Sequence, residues 1–262
     1  MKTIVITGSS KGIGFHLANE FLQRNCQVVI SSRSLQALKL ASSQLINRNP
    51  QAQLLSSACD VTDYSQVMQL WKTANNHFGN INIWINNAGQ GHAQNSSWLL
   101  PENFMEGIVQ SNILGVMYGS KVAMQGMLTQ GFGAIYNMEG LGSDGRIVEG
   151  LAIYGTSKAA VHYFTRSLMK EAVGTPIIVG ALSPGMVMTD LITQQYTSDP
   201  EAWAKAKPIF NILADRPETV TAWMVPQILA NQQNGKSIAW LTQTKILARF
   251  IGSVFHKRNI AP

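Results

Sequence analysis

TGSSKGIG, residues 7–14, follows a strand-like run, KTIVIT, and opens a stretch with helical periodicity. In such a turn, glycine permits a tight reversal, close approach of the backbone to a pyrophosphate and close packing of helix on strand. The N-terminus of the following helix would face the anion. The spacing is GxxxGxG rather than GxGxxG, and a glycine-rich turn alone also suits a purely structural loop. Its place after a first strand favours a dinucleotide site made by Gly8, Ser10, Lys11, Gly12, Ile13 and Gly14.

Short apolar runs alternate with helical stretches along the chain. The runs KTIVIT, QVVIS, INIWIN, GAIYNM and PIIVGAL are bounded by Gly, Asn, Ser or Pro, which is typical of buried strands. The alternation predicts an α/β protein with a Rossmann fold, in which a doubly wound parallel sheet is flanked by helices. We expect helices at residues 12–24, 34–48, 63–77, 102–129, 153–172 and 217–231.

The length of 262 residues suits a single α/β domain. Within it, we expect residues 1–140 to bind mainly the dinucleotide and residues 141–216 to carry catalytic residues and a substrate lid. Residues 217–262 are expected to form C-terminal helices and a last strand. The segment around 190–215 is predicted to be irregular, as a loop that covers a ligand often is.

The composition argues against several classes of function. The two cysteines, Cys26 and Cys59, lie in no CxxC pair and near no histidine at metal-ligand spacing, so no metal site is expected. The net charge is +6, but the Lys and Arg residues are scattered, which argues against nucleic-acid binding. The sequence opens without a signal-peptide pattern and has no run of about 18 apolar residues, so a cytoplasmic protein is expected.

The second strand ends in VVISSRS, at the position where a dinucleotide fold recognises the adenosine ribose. An acidic residue there would hold a free 2′-hydroxyl, but this chain has Ser32 and Arg33, with Lys11 in the glycine turn. Two cations suit a 2′-phosphate, so NADPH is favoured over NADH. The alternative is that both are solvated surface charges.

Two further polar segments follow the third and fourth strands. Asp60 and Val61 come after the third strand, and Asn86-Asn87-Ala88-Gly89 comes after the fourth. The small residues of the second segment leave room for an adenine ring, and its asparagines can bridge strand ends. These positions add Asp60, Val61, Asn87, Ala88 and Gly89 to the predicted cofactor site.

Tyr154 and Lys158, in YGTSK, begin a predicted helix and lie one turn apart on one face. A nearby ammonium favours the phenolate of a tyrosine and lowers its pKa, which makes the phenol a useful proton donor for a carbonyl. By spacing alone, such a pair is usually exposed on a helix.

The order of these motifs resembles the classical short-chain dehydrogenase/reductase family. The resemblance covers nearly the whole chain and includes Asn112 in QSNILGV, Ser183-Pro184-Gly185 and Thr189. It implies a catalytic group made of Asn112, a serine, Tyr154 and Lys158, of which Tyr154 and Lys158 also contact the cofactor. It also implies a nicotinamide site formed by Pro184, Gly185, Val187 and Thr189.

The serine of this group is displaced. At the family's usual spacing, counting back from Tyr154 reaches Leu141, and counting forward from the strand reaches Glu139-Gly140. Ser143 is the only hydroxyl residue between positions 137 and 153, and the surrounding glycines allow a reshaped loop. Ser143 is therefore predicted to polarise the substrate carbonyl. A structural serine, or a loop that uses Glu139 instead, stays open.

The segments NMEGLGSDGR, SPGMVMTDL and FNILADRPETVTAWMVPQIL resemble the chlorophyll(ide) b reductase branch of the family. This branch carries Asp-Gly where this chain has Glu139-Gly140. The resemblance implies NADPH-dependent reduction of the C7 formyl group of chlorophyll(ide) b to a hydroxymethyl group, near photosynthetic membranes or in the stroma of a plastid. The alternatives are reduction of a 3-oxoacyl or other small carbonyl compound, and a non-catalytic dinucleotide-binding sensor.

Two apolar regions indicate how a large substrate and partners could be met. The predicted lid, residues 191–216, could form a hydrophobic wall or pack its own core, through Leu191, Ile192, Tyr196, Trp203, Ile209 and Phe210. The tail has apolar residues at helical spacing: Ile246, Leu247, Phe250, Ile251, Val254 and Phe255. Interspersed cations, Lys245, Arg249, Lys257 and Arg258, would allow contact with an anionic membrane. The alternatives are packing on its own domain or on a sister subunit of a homodimer or homotetramer.

Overall fold

Seven strands form one parallel sheet in the computed structural model, which describes residues 1–196 and 200–261. They are β1 (Thr3–Ile6), β2 (Gln27–Ser32), β3 (Leu54–Ala58), β4 (Ile83–Asn86), β5 (Gly133–Met138), β6 (Ile177–Ser183) and β7 (Ser237–Ala239). Their order across the sheet is β3-β2-β1-β4-β5-β6-β7. The winding therefore reverses between β1 and β4, and a ligand crevice is expected outside the carboxyl ends of these strands.

Helices cover both faces of the sheet, which confirms the predicted α/β architecture. They are α1 (Gly12–Leu22), α2 (Leu35–Arg48), α3 (Tyr64–Phe78), α4 (Glu102–Ile108), α5 (Gly115–Gln130), α6 (Ala152–Glu171), α7 (Asp190–Thr193), α8 (Pro200–Leu213), α9 (Pro217–Ala230) and α10 (Gln243–Ser253). The single helix predicted at residues 102–129 is interrupted by a π-helical segment, Val109–Leu114. Such segments often occur at functional sites, and this one contains Asn112.

Each face of the sheet has its own apolar core. One core lies beneath α1, α2 and α9 and includes Phe15, Phe21, Leu45, Met224 and Val225. The other lies beneath α3 and α5 and includes Val67, Leu70, Trp84, Ala123 and Met127. Both faces of the strands are therefore buried, as their near-continuous apolar runs predict.

A buried polar network links the ends of β4 and β5 to α6. Asn86 accepts a hydrogen bond from the Trp84 indole at 2.8 Å, and its amide donates to Asn137 at 2.8 Å. The Asn137 amide in turn donates to the Thr165 hydroxyl of α6 at 3.0 Å. These bonds confirm that asparagines bridge the strand ends, and they fix α6 against the carboxyl edge of the sheet.

The predicted irregular lid is largely helical, so this prediction is wrong. Residues 190–193 and 200–213 form α7 and α8, and a 3-10 turn covers Gln194–Tyr196. Residues 197–199 lie outside the described residues. The aromatic side chains of Tyr196, Trp203 and Phe210 stack on one another, with ring centres 5.4–5.8 Å apart. This tertiary packing stabilises helices that the local pattern did not reveal.

A buried aspartate anchors the C-terminal segment. Asp215 accepts hydrogen bonds at 2.6 Å from Arg249, Arg258 and the indole of Trp240. Arg249 and Arg258, which were candidates for contact with a lipid surface, thus form ion pairs with this buried carboxylate. The apolar side of α10 and the turn after it remains exposed, through Leu247, Phe250, Ile251, Val254 and Phe255. Within the described residues, no helix has the length and apolarity needed to cross a bilayer. Membrane contact through α10 stays a prediction.

Candidate active site

A large cleft of about 1360 Å³ runs along the carboxyl edge of the sheet. This volume exceeds the roughly 300–1,000 Å³ that is usual for one drug-sized ligand, so it has room for a dinucleotide and a second molecule. All the predicted cofactor residues line it: Gly8, Ser10, Lys11, Gly12, Ile13, Gly14, Ser32, Arg33, Asp60, Val61, Asn87, Ala88, Gly89, Tyr154, Lys158, Pro184, Gly185, Val187 and Thr189. Ser143 also lines the cleft, whereas Asn112 is fully buried.

The turn after β1 requires glycine for two separate reasons. Gly8 and Gly12 have φ angles of 62° and 58°, in the left-handed region that other residues rarely adopt. At Gly8, a Cβ would lie 2.6 Å from the Cα of Ala88. At Gly14, a Cβ would overlap the Asn87 side chain and lie 2.6 Å from the Gly8 carbonyl oxygen. The close packing of this turn against the segment after β4 therefore requires glycine.

Asn87 and Ala88 hold this turn in place from β4. The Asn87 amide donates hydrogen bonds to the carbonyl oxygens of Thr7 and Gly8, both at 2.9 Å. The backbone N–H groups of Asn87 and Ala88 donate to the Thr7 hydroxyl, at 3.0 and 3.1 Å. The second polar segment is thus a brace for the glycine turn as well as part of the cleft wall.

Asp60 and Val61 border the cleft immediately after β3. One carboxylate oxygen of Asp60 accepts hydrogen bonds from the backbone N–H and the hydroxyl of Thr62, at 3.0 and 2.9 Å. Val61 packs against Gly115 at the start of α5, where an added Cβ would lie 2.8 Å from a Val61 methyl. Both side chains are therefore held by local contacts.

Two cations lie at the end of the cleft beside β2. The Lys11 ammonium is 3.5 Å from the Asp190 carboxylate, and both side chains are about two-thirds exposed, at 69% and 66%. Arg33 is exposed at the same end, next to Ser32, whose hydroxyl accepts a hydrogen bond from Ser10 at 3.1 Å. The contact between Lys11 and Asp190 also connects the glycine turn to α7, which the sequence did not reveal.

Tyr154 and Lys158 lie on α6 and are almost buried, with 8% and 5% of their surfaces exposed. The Lys158 ammonium donates a hydrogen bond to the Met138 carbonyl at 3.0 Å and lies 5.9 Å from the centre of the Tyr154 ring. The Tyr154 hydroxyl packs against Gly140, where an added Cβ would be only 2.7 Å away. The pair is therefore a buried group in the cleft and not an exposed helical pair.

Burial determines the protonation of this pair. It raises the pKa of Tyr154 to about 12 and lowers the pKa of Lys158 to about 8, a fall that the Glu139 carboxylate opposes. The expected lowering of the tyrosine pKa is therefore wrong for this arrangement. Desolvation of the phenolate raises the pKa of Tyr154, and the Lys158 ammonium is hydrogen-bonded to the Met138 carbonyl. Tyr154 is a protonated phenol at neutral pH, which is the form that donates a proton.

Asn112 lies beneath the cleft and connects three elements. Its side-chain oxygen accepts a hydrogen bond from the Gln90 N–H at 2.7 Å, and its amide donates to the Gln90 carbonyl at 2.9 Å. The amide also donates to the Ser157 hydroxyl of α6 at 3.0 Å. The π-helical segment thus fixes the loop after β4 against the helix that carries Tyr154 and Lys158.

Ser143 lies in the wall of the cleft, as expected for a reshaped loop, but its hydroxyl proton already forms a hydrogen bond within the protein. The hydroxyl donates to the Lys158 carbonyl at 3.1 Å and accepts a hydrogen bond from the Gly140 N–H at 3.2 Å. This geometry ties the loop after β5 to α6. It favours a positioning role over direct polarisation of a substrate carbonyl.

A second pair in the cleft consists of Glu139 and His162. The sequence indicated Glu139 as a candidate but did not indicate His162. The Glu139 carboxylate, nearly buried, accepts a hydrogen bond from His162 Nδ1 at 2.6 Å. His162 follows Lys158 by one turn of α6, and both residues of the pair line the cleft. The i+4 spacing from Lys158 was a signal that could have identified His162.

The loop after β6 forms the opposite wall of the cleft. Gly185 has a φ of 71°, and a Cβ there would overlap the Leu241 side chain. A Thr189 methyl lies 3.6 Å from the position that a Cβ on Gly12 would occupy. The segment from Pro184 to Thr189 therefore faces the glycine turn across the cleft.

An apolar wall continues from this loop into α7 and α8. Five of the six predicted lid residues line the cleft, namely Leu191, Ile192, Tyr196, Ile209 and Phe210. Trp203 instead packs in the lid's own apolar cluster and borders a small neighbouring pocket. Ile260, near the C-terminus, also lines the cleft. This region therefore borders the cleft and also packs an apolar cluster of its own; its contact with a substrate stays a prediction.

A parallel Rossmann sheet, a glycine turn at its switch point and a buried Tyr–Lys pair in one cleft are the features of a Rossmann-fold oxidoreductase. A family model described as short chain dehydrogenase matches residues 2–200, and the chain belongs to this family. Among solved structures, levodione reductase has the same fold, with a TM-score of 0.84 and 23% identity over 93% of this chain and 97% of that one.

Two plant relatives are more similar in sequence. The chloroplastic chlorophyll(ide) b reductase NOL of Arabidopsis thaliana is 37% identical, over 96% of this chain and 73% of the relative. The Arabidopsis thaliana protein named "Probable chlorophyll(ide) b reductase NYC1, chloroplastic" is 32% identical, over 96% of this chain and 53% of the relative. The chain thus spans about half the length of the second relative. Its resemblance to this branch of the family is confirmed.

Proposed function

We propose that the protein is an NADPH-dependent carbonyl reductase that reduces the C7 formyl group of chlorophyll(ide) b to a hydroxymethyl group. The observation that carries the proposal is the buried Tyr154–Lys158 pair beside a cleft large enough for a dinucleotide and a pigment. The relatives named chlorophyll(ide) b reductases support this choice of substrate.

The residues present fit a dinucleotide. Side chains at Gly8 and Gly14 would collide with Ala88 and Asn87, so glycine lets the turn after β1 pack closely on the segment after β4. The turn lines the cleft at the N-terminus of α1, which suits a phosphate group. When bound, a nicotinamide dinucleotide supplies hydride chemistry. Pro184, Gly185, Val187 and Thr189 would hold its nicotinamide end, across the cleft from the glycine turn.

The choice of NADPH over NADH rests on charge. Arg33 and Lys11 line the cleft at the end of β2, where no carboxylate occupies the position that would hold a free 2′-hydroxyl. A guanidinium offers a planar fork to a phosphate, and an ammonium offers a point charge. Together they favour a cofactor with a 2′-phosphate.

Tyr154 provides the proton in the proposed reduction. Burial keeps its phenol protonated at neutral pH, since its pKa is raised to about 12. As the carbonyl oxygen gains negative charge, the phenol donates its proton to that oxygen, and Lys158 stabilises the phenolate that forms. Gly140 leaves space directly beside the Tyr154 hydroxyl, where a side chain would collide with it.

The proposal is tested by incubating pure protein with NADPH and separating the products by chromatography. The panel contains chlorophyll b, chlorophyllide b and small ketones, including a 3-oxoacyl thioester. We expect 7-hydroxymethyl products from the pigments and little turnover of the small ketones. Tyr154→Phe is the control, because it should bind NADPH without reducing any substrate. Turnover of small ketones alone would contradict the proposed substrate.

A further inference from the structure

His162 has no role in the proton transfer described above, and Glu139 acts there only through the pKa of Lys158, although both residues line the cleft. Tyr154, Lys158 and His162 follow one another at four-residue intervals on α6, so they occupy successive turns of one helix. The side chain of His162 is 38% exposed, whereas that of Glu139 is 8% exposed. The histidine therefore faces the accessible side of the pair, and the carboxylate lies behind it.

The hydrogen bond between them determines which histidine nitrogen is open to a ligand. An ionised carboxylate can only accept, so His162 Nδ1 carries the proton in the 2.6 Å bond to Glu139. In the neutral imidazole, the lone pair is then on Nε2. A histidine that ligates a metal through one ring nitrogen commonly donates the other N–H to a carboxylate, which orients the ring and raises its basicity.

A metal ion held only by the protein does not fit this site. Across residues 1–196 and 200–261, no group of three or more His, Cys, Asp or Glu side chains could hold a metal ion. One histidine can still complete the coordination of a metal that arrives inside its own ligand. The magnesium of a chlorophyll-type tetrapyrrole is such a metal, because four ring nitrogens hold it and an axial position stays open.

We propose that His162 Nε2 binds the magnesium of the tetrapyrrole substrate as an axial ligand, with Glu139 as the residue that positions it. This inference rests on the proposed function and names the part of the pigment that the protein recognises. Eight residues of α-helix correspond to a rise of roughly 12 Å between the backbones of Tyr154 and His162. The metal lies at the centre of the macrocycle and the formyl group at its edge, so the pigment would lie along α6 with the two side chains converging on it.

Binding of the magnesium by His162 would help to select which carbonyl group of the pigment is reduced. A fixed metal centre restricts sliding of the macrocycle in the cleft, and the apolar wall formed by Leu191, Ile192 and Phe210 restricts its rotation. The formyl group can then approach Tyr154 repeatedly in one position. A small ketone has no metal and would gain nothing from His162.

The test measures binding of two pigments that differ only in the metal. Chlorophyllide b and its magnesium-free counterpart, pheophorbide b, are titrated in detergent into Tyr154→Phe, which binds without turnover. We expect the magnesium pigment to bind more tightly, and the double variant Tyr154→Phe/His162→Gln to lose roughly tenfold or more of that affinity. Affinity for pheophorbide b should stay the same. Glu139→Gln in the same background should give an intermediate loss.

A matched control and a spectroscopic measurement separate ligation from a folding defect. His77→Gln changes an exposed histidine on α3 and should leave both affinities unchanged. Each variant should retain its NADPH affinity, which shows that the cleft is intact. The absorption bands of the magnesium pigment should shift on binding to Tyr154→Phe and not on binding to the His162 double variant.

The possible failures can be told apart. Equal affinities for the two pigments, unchanged by His162→Gln, would overturn metal ligation while wild-type reduction of chlorophyllide b still stood. If neither pigment is reduced by the wild-type protein and neither binds to Tyr154→Phe, the proposed function and this inference both fail.

Discussion

At the scale of single residues, the cleft shows how burial changes the chemistry of ordinary side chains. The pKa of Tyr154 is raised to about 12, which keeps the phenol protonated, and the pKa of Lys158 is lowered to about 8. Desolvation is the largest cause of both shifts. The carboxylate of Glu139 is the charge that opposes the shift of Lys158. The reactivity of the pair therefore depends on neighbours outside the YGTSK motif.

Lys158 should give the reaction a dependence on pH. Its pKa of about 8 means that it is charged below this pH and neutral above it. We expect kcat to fall as the pH rises through about 8, because the Tyr154 phenolate then loses its stabilising charge. Glu139→Gln removes the opposing carboxylate, so the pKa of Lys158 falls further and the decline should begin at lower pH. The measurement is kcat against pH at saturating NADPH.

His162→Gln is the matched control for this prediction, since it keeps the Glu139 carboxylate. At saturating pigment, the midpoint of its pH profile should stay close to that of the wild type, although its affinity for the magnesium pigment falls. An equal displacement in both variants would assign the effect to loop geometry and not to charge.

Ser143→Ala should have a moderate effect. Its hydroxyl donates to the Lys158 carbonyl, so the variant loses a hydrogen bond between the loop and α6. A net hydrogen bond is worth about 0.5–1.5 kcal/mol, and we expect kcat to fall by about tenfold or less. The assay uses one pigment and saturating NADPH. A 10²–10³-fold loss, the scale of a lost oxyanion donor, would show instead that the hydroxyl turns to the substrate.

Arg33→Ala should weaken binding of NADPH and leave binding of NADH nearly unchanged. Arg33 lines the cleft beside Ser32, and a charge-assisted bond to a 2′-phosphate corresponds to a loss on the order of tenfold to a hundredfold. Dissociation constants for both cofactors are measured by fluorescence titration. Lys39→Ala, an exposed cation on α2, is the control. Equal losses for the two cofactors would refute the assignment.

At the scale of elements, the segments after β1 and β4 form one unit. The Asn87 amide donates hydrogen bonds to the glycine turn, and Gly14 leaves no room for a side chain beside that of Asn87. In the π-helical segment, the Asn112 side chain is hydrogen-bonded to the loop after β4 and to α6, and it connects these two elements. Each of these motifs is therefore held in place by hydrogen bonds to another motif that is distant in the chain.

Gly14→Ala should destabilise the protein by about 1–3 kcal/mol, the usual cost of overpacking. The new Cβ would overlap the Asn87 side chain and approach the Gly8 carbonyl oxygen at 2.6 Å. The free energy of unfolding is measured in urea, together with NADPH affinity, which should also fall. Gly252→Ala on α10 is the control, because its Cβ would meet no atom within 4 Å. That control should be neutral or slightly stabilising.

At the scale of the whole molecule, the C-terminal segment packs on α8 and borders the cleft through Ile260. Asp215 binds Arg249 and Arg258, and the N–H groups of Ile260 and Ala261 donate to Asn211 of α8 at 2.9 and 2.8 Å. Ile260 and Ala261 are thus attached to α8. The cleft wall depends on contacts between α8, α10 and the segment that follows.

Asp215→Ala should destabilise the protein by about 3–5 kcal/mol, because two arginines would remain partly buried without a counter-charge. Limited proteolysis should then cleave the C-terminal segment first. The measurements are the urea midpoint and the fragment pattern. Asp144→Ala is the control, since its ion pair with Arg146 is about half exposed and should change stability by less than about 1 kcal/mol. A similar loss in both variants would contradict the anchoring role.

The sequence by itself determined the fold and most positions of the cleft. Alternating strand and helix periods specify a doubly wound sheet, because each period fixes which side chains can be buried together. The glycine turn, the NNAG segment and the YGTSK segment are local patterns, and their order placed them at one edge of the sheet. No knowledge of packing was needed for this step.

Tertiary structure alone decided what the individual side chains do there. The hydroxyl proton of Ser143, the pairing of His162 with Glu139 and the helical lid all depend on contacts between residues far apart in the chain. The pKa values of Tyr154 and Lys158 depend on how completely the surrounding elements exclude water. A local pattern specifies neither a distant partner nor the degree of desolvation, and both arise only when the elements pack.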